Sequence, residues 1–398
     1  MRSFDVPRLA LGPGDYAVVI EGQGTTLGDF AFALLPAADA VALADNVATG
    51  VIPLAPSSAA RIFAWEGTAG QIVEFDALVT DGNNTVRMFG PDGDLVHYTN
   101  SFRDSSGIEL RRSGTHYIIV DGYVTNTADR SEFAFAMRET GTIAPVAATG
   151  TPLAVGAVAS GTLADNATAA TYVLTLTEPT RLILDGQTNL STVNIALRDA
   201  LGGILNPRRI YESIYTPYDR ADRQNDTAVL DLPAGEYEVS VTTTAAGGNP
   251  FAFRFLDAAA GTDLPLGEAQ TVLTDPGNSV NLFRFDVTEG DHVALDLVNE
   301  GGDKRWFIVA PDGRKIAQEN FVTGAAFQVL QSGRYLLIVD GHADESVPSN
   351  LTVTRRDNAP TALELGTFTT VEMPVRSAYD SFTLSLIHIS EPTRRTPI

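Results

Sequence analysis

The residues best suited to acid–base or zinc chemistry are five histidines, and they are scattered. His97, His116, His292, His342 and His388 lie in separate stretches, with no HExxH, GxSxG or phosphate-loop motif around them. Zinc needs clustered nitrogen, sulfur or carboxylate ligands, and the chain has no cysteine. His116 precedes a shared tyrosine and His342 follows a turn, so both read as surface or turn residues. The sequence therefore predicts no catalytic centre.

Carboxylates and amides offer a second chemistry. Hard cations take several oxygen ligands at once, and calcium is the cofactor the sequence favours most. The candidate ligands are Asp81 and Asn83 in the run DGNN, Asp121 and Asp340 at two Asp-Gly turns, and Asp303 after Gly301-Gly302. The competing reading is that Asp-Gly and Asn-rich stretches simply make turns.

A third chemistry is recognition. The stretch NPRRIYESIYTPYDRADRQND sets Tyr211, Tyr215 and Tyr218 beside Arg209 and Arg220. Tyrosine and arginine supply contact area with directed hydrogen bonds, and exposed rings stack on sugar faces. These five residues are the expected ligand contacts; the competing reading is a loop folded back on its own domain.

What positions such residues is a repeat. LGPGDYAVVIEG, RRSGTHYIIVDG, LPAGEYEVSVTT and LQSGRYLLIVDG share Tyr16, Tyr117, Tyr237 and Tyr335. A strand phrase follows each: FAFALL, FAFAMRE, FAFRFLD and LTVTRRD. Landmarks ending at Gly156, Gly267 and Gly366 each precede an aromatic by 16 residues, at Tyr172, Phe283 and Phe382. Pro-Asp-Gly turns join apolar strands after Val86 and Phe307, and Gly202-Gly203 stands in that place in the third repeat.

The phrases alternate with period two. In EYEVSV, Tyr237, Val239 and Val241 take one face and the polar residues the other. YIIV is apolar on both faces and predicts a central strand. The expected fold is all-β: tandem antiparallel β-sandwiches, jelly-roll-like, as beads on a string. The expected boundaries are 1–36 for the end of a truncated unit and 37–140, 141–258 (with the inserted loop) and 259–357 for complete units. A further unit starts at 358–383. Residues 384–398 match no other repeat and look like translated read-through of a sequencing adapter, so they are set aside.

The order of these motifs resembles the bacterial pre-peptidase C-terminal domain, a jelly-roll-like sandwich appended to secreted proteases and other exoproteins. The resemblance spans residues 1 to about 383. It implies extracellular export and an accessory role. Such domains often carry Asp beside the aromatic strand, where this chain has Asn281, Ala170 and Asp380.

Composition narrows the partners. A formal net charge of −22 disfavours nucleic acid and anionic lipid. No apolar run is long enough for a membrane helix. The start lacks a signal peptide and falls inside a repeat, so the chain reads as part of a longer one. The leading expectation is a non-catalytic secreted or cell-surface repeat protein acting as spacer, adhesion or accessory binding module. A second is a carbohydrate- or matrix-binding accessory region of a secreted peptidase or other hydrolase, with a glycan or matrix protein as ligand. A third is a calcium-dependent surface protein.

Overall fold

Alternating burial along the repeated phrases becomes paired sheets in a computed structural model of the protein. It describes residues 32–81, 84–122, 130–188, 190, 192–205, 229–299, 304–320, 324–341, 346–356, 361–362 and 382–383. The chain divides into two compact units, Met1–Ala148 with Arg198–Glu212, and Thr149–Leu197 with Ser213–Ile398. Among the described residues there is no α-helix, and none is long and apolar enough to cross a membrane.

In the second repeat, one sheet has the order Val41–Leu43, Ala60–Gly67, Gly114–Gly122, Asn84–Phe89, Leu95–Thr99. The facing sheet runs Ile52–Leu54, Ser131–Thr142, Gln71–Asp81, Ser105–Glu109. Phe63, Trp65, Val86 and Ile118 from the first sheet meet Val73, Phe75, Phe133 and Phe135 from the second in one core. Phe63 lies edge-on to Phe135 at 5.1 Å between ring centres, a geometry that suits the ring quadrupoles.

The third repeat pairs Thr151–Leu153, Ala169–Leu176, Gly235–Thr243 and Val193–Arg198 in that order, facing Ala159–Leu163, Asn249–Asp257, Thr180–Gly186 and Val229–Leu232. The fourth pairs Thr262–Asp263, Val280–Val287, Gly333–Gly341, Lys304–Val309 and Lys315–Asn320. These face Ala269–Leu273, Pro348–Arg356, His292–Asn299 and Ala325–Gln328. In all three repeats the tyrosine phrase is an inner strand of its sheet, as its apolar run predicts.

The leading strand of each repeat departs from the antiparallel rule. Thr151 pairs in parallel with Tyr172, Thr262 with Phe283 and Thr361 with Phe382. A parallel pair needs a crossover. In the third and fourth repeats the residues after the landmark glycine supply it, as the edge strands Ala159–Leu163 and Ala269–Leu273 of the opposite sheet. The constant 16-residue spacing is that excursion.

Two sequence motifs also touch. Gly114 and Gly333, at φ +131° and +145°, begin the tyrosine strand against the ring of the turn proline. A Cβ on either would lie 3.1 Å from Pro91 Cγ or 2.9 Å from Pro311 Cγ. Only glycine fits both the backbone angle and the approach.

One alignment needs correction. Counted from that glycine, the structural partner of Tyr237 and Tyr335 is His116, not Tyr117. His116 faces Trp65 across the strands, as Tyr335 faces Phe285. It is 1% exposed, not a surface residue. Tyr117 falls on the opposite face and is half-buried. The adjacent pair His-Tyr hides this one-residue shift, which period two turns into a change of face.

Candidate functional site

Of the residues singled out for chemistry, those among the described residues stand apart from one another on the sandwiches. Asp121 is buried on its sandwich with Arg87 Nη1 at 3.4 Å. Asp340 is 1% exposed in the fourth repeat, in register with Arg305 and Val280. Asp81 ends a strand opposite Glu132. Asn83, Asp303, Tyr211, Tyr215, Tyr218, Arg209 and Arg220 lie outside the described residues, as do His342 and His388. Among the described residues no group of three or more histidines or acids is placed to hold a metal ion. His97 is half-buried, with Nε2 buried and unpartnered.

The most elaborate polar constellation lies where the third repeat meets the fourth, inside the second compact unit. Asp185 stands on the strand Thr180–Gly186, one residue after the core residue Leu184, so alternation points it outward. It is nevertheless 0% exposed. Its Oδ2 accepts from Arg254 Nε at 2.6 Å and Gln187 Nε2 at 3.0 Å. Its Oδ1 accepts the backbone N–H of Val280, the first residue of the fourth repeat's aromatic strand, at 3.2 Å. Arg254 Nη2 donates to the carbonyl of the same residue at 3.5 Å. One ion pair thus grips both backbone groups of one residue in the next repeat.

Burial pushes the Asp185 carboxyl up, while the Arg254 guanidinium and the donors from Gln187 and Val280 pull it down. An ion pair here is costly to break from one side. Removing the cation from a buried carboxylate costs about 3–5 kcal/mol.

A second contact lies alongside. Arg181 forks onto Asp231 with Nε–Oδ1 at 2.7 Å and Nη2–Oδ2 at 3.0 Å. Its Nη1 donates to the Pro311 carbonyl in the fourth repeat's Pro-Asp-Gly turn at 3.2 Å. A Cβ at Gly313 would come within 2.8 Å of that guanidinium. Between the two polar contacts lies an apolar layer. Ile183, Val229 and Leu256 of the third repeat pack with Val280, Phe307 and Val309 of the fourth. Leu336 and Ile338 complete it, which is why the strand Gly333–Gly341 is buried on both faces.

Sequence reading missed this site, though a signal was present. Phe75-Asp76, Leu184-Asp185 and Leu295-Asp296 place an aspartate after the same core position in three repeats. Asp76 pairs with Arg138 Nε at 2.7 Å instead.

No protein-family model matches the chain, and no curated protein does. Among solved structures it is similar to the pre-peptidase C-terminal domain of collagenase from Bacillus anthracis, at 17% identity and TM-score 0.22, over 24% of this chain and 94% of that one. It is similar to PliG, a periplasmic inhibitor of g-type lysozyme from Aeromonas hydrophila, at 16% identity and TM-score 0.21, over 24% and 96%. It is also similar to the CUB1-EGF-CUB2 region of human MASP-1/3, at 10% identity and TM-score 0.18, over 50% and 99%.

Proposed function

We propose that the chain is a non-catalytic accessory stretch of a secreted or surface protein, in which consecutive sandwiches make a stiff spacer. The observation that carries this reading is the grip of Asp185 and Arg254 on Val280, sealed by the apolar layer around Phe307. A spacer must transmit orientation, and a junction held by two polar contacts and a dry layer resists hinge motion. Repeats joined only by a linker would move freely by default. The acidic surface suits a soluble array.

The test uses the absence of native cysteine. Spin labels go on Glu178→Cys and Glu289→Cys, both exposed, one in each repeat. A narrow distance distribution is expected, broadened by Arg254→Ala. A broad distribution in the unaltered junction would defeat the spacer reading.

A further inference from the structure

The second repeat carries an open polar cleft that the spacer reading does not use. It lies in the crease where the edge strand Leu95–Thr99 of one sheet passes to the edge strand Ser105–Glu109 of the other. Its volume is about 660 Å³, within the range of small-molecule sites. His97, Tyr98, Asn100, Arg103, Asp104 and Ser106 line it.

The connecting loop is fixed from below. Phe102 is 5% exposed and packs on Phe75 at 5.3 Å and Phe133 at 5.6 Å. Thr99 Oγ1 donates to the Ser101 carbonyl at 2.9 Å, and Asp104 Oδ1 accepts the Ala77 N–H at 2.9 Å. A loop held this way loses little further entropy on binding.

Tyr98 borders the cleft and stands opposite Arg87 on the outer face of its sheet. Tyr98 is 49% exposed, and the Arg87 guanidinium sits 5.7 Å from its ring centre. Arg87 is itself held by Asp121.

The rim holds unused hydrogen-bonding capacity. Arg87, Arg111, Arg112, Arg130 and Arg138 of this repeat pair with acids, whereas Arg61 and Arg103 have no ion-pair partner among the described residues, and only Arg103 lines the cleft. Asn100 and Ser106 make no side-chain hydrogen bond among the described residues, and Asp104 commits only one oxygen.

These features select a ligand class. The lining is mostly polar, with Tyr98 its one aromatic residue, which disfavours a wholly apolar small molecule. A polyanion is repelled by a chain of net charge −22. A neutral sugar offers an apolar ring face for Tyr98 and vicinal hydroxyls for Arg103, Asn100 and Asp104. We propose that this cleft binds a neutral saccharide, stacked on Tyr98 and oriented by Arg103.

The test measures binding of cellotetraose, xylotetraose, mannotetraose and maltotetraose to the full chain by saturation-transfer NMR and calorimetry. Tri-galacturonate and a proline-rich peptide serve as counter-probes. At least one neutral tetrasaccharide is expected to bind, and Tyr98→Ala and Arg103→Ala should each weaken it about tenfold or more. Both side chains are exposed, so an unchanged melting temperature checks folding, and Arg314→Ala in the fourth repeat should leave affinity unchanged. No neutral binder at about 10 mM, binding that survives both substitutions, or preference for either counter-probe would overturn the proposal. Its failure leaves the spacer reading standing, because that rests on the third and fourth repeats.

Discussion

His116 takes the place that the third and fourth repeats give to tyrosine. Tyr237 Oη donates to the Pro233 carbonyl at 2.8 Å, and Tyr335 Oη to the Gln331 carbonyl at 3.0 Å, each four residues back. The imidazole is too short for that bond. Its Nδ1 lies 2.9 Å from the Gly114 carbonyl, and its buried Nε2 has no partner. Burial lowers its pKa below the usual 6.5, opposed by the Gly114 carbonyl and by Asp92 and Glu66. The unfolded chain then binds more protons between the lowered value and 6.5. Stability is full above 6.5 and falls as pH drops through that window. His97, whose pKa burial also lowers, acts in the same direction. His116→Tyr should remove its share of the slope and add about 1 kcal/mol by reaching the Arg112 carbonyl. Urea midpoints between pH 5 and 7.5 check this; an unaltered slope would assign the titration elsewhere. The adjacent tyrosine concealed His116 in the sequence, because only the backbone register tells which of two neighbours faces inward.

Equivalent strands in different repeats solve one end of the core differently. Lys304 stands opposite Gly341 as Asn84 stands opposite Gly122. Lys304 is 2% exposed, and its Nζ donates to the Val347 carbonyl at 2.6 Å and to Ser349 Oγ at 2.9 Å. In the second repeat the shorter Asn84 is 0% exposed, with neither amide atom partnered, and buried Ser131 Oγ is unpartnered too. Each such atom costs about 1–3 kcal/mol. Replacing both by apolar groups of similar size removes that cost, so Asn84→Leu with Ser131→Ala should raise stability by about 1–3 kcal/mol. A lower denaturation midpoint would show that the polar pair is satisfied in solution. The strands themselves were legible. Alternation, the Pro-Asp-Gly turns and the 16-residue spacing each follow from local backbone geometry. Asn84 and Lys304 were not, because their worth depends on which loop closes over the sheet end.

Scale changes what the sequence can reveal. Each sandwich repeats a local pattern and was legible as such. The junction depends on which outer faces meet, and alternation says nothing of that. Its one trace was an outward aspartate beside a core leucine, with an apolar run too rich for a one-sided strand. The consequence is thermodynamic. Ile183 points away from its own core and is 0% exposed within the junction cluster. An aspartate there keeps the third sandwich's interior intact but places an uncompensated charge in the dry layer. The third and fourth repeats should therefore open as one cooperative block. In native-state hydrogen exchange, the slowest amides of Gly235–Thr243 and Gly333–Gly341 should share one opening free energy. Ile183→Asp should split that value in two, with both strands still protected. Two values already present before substitution would mean that each sandwich stands alone and that the junction is a contact without coupling.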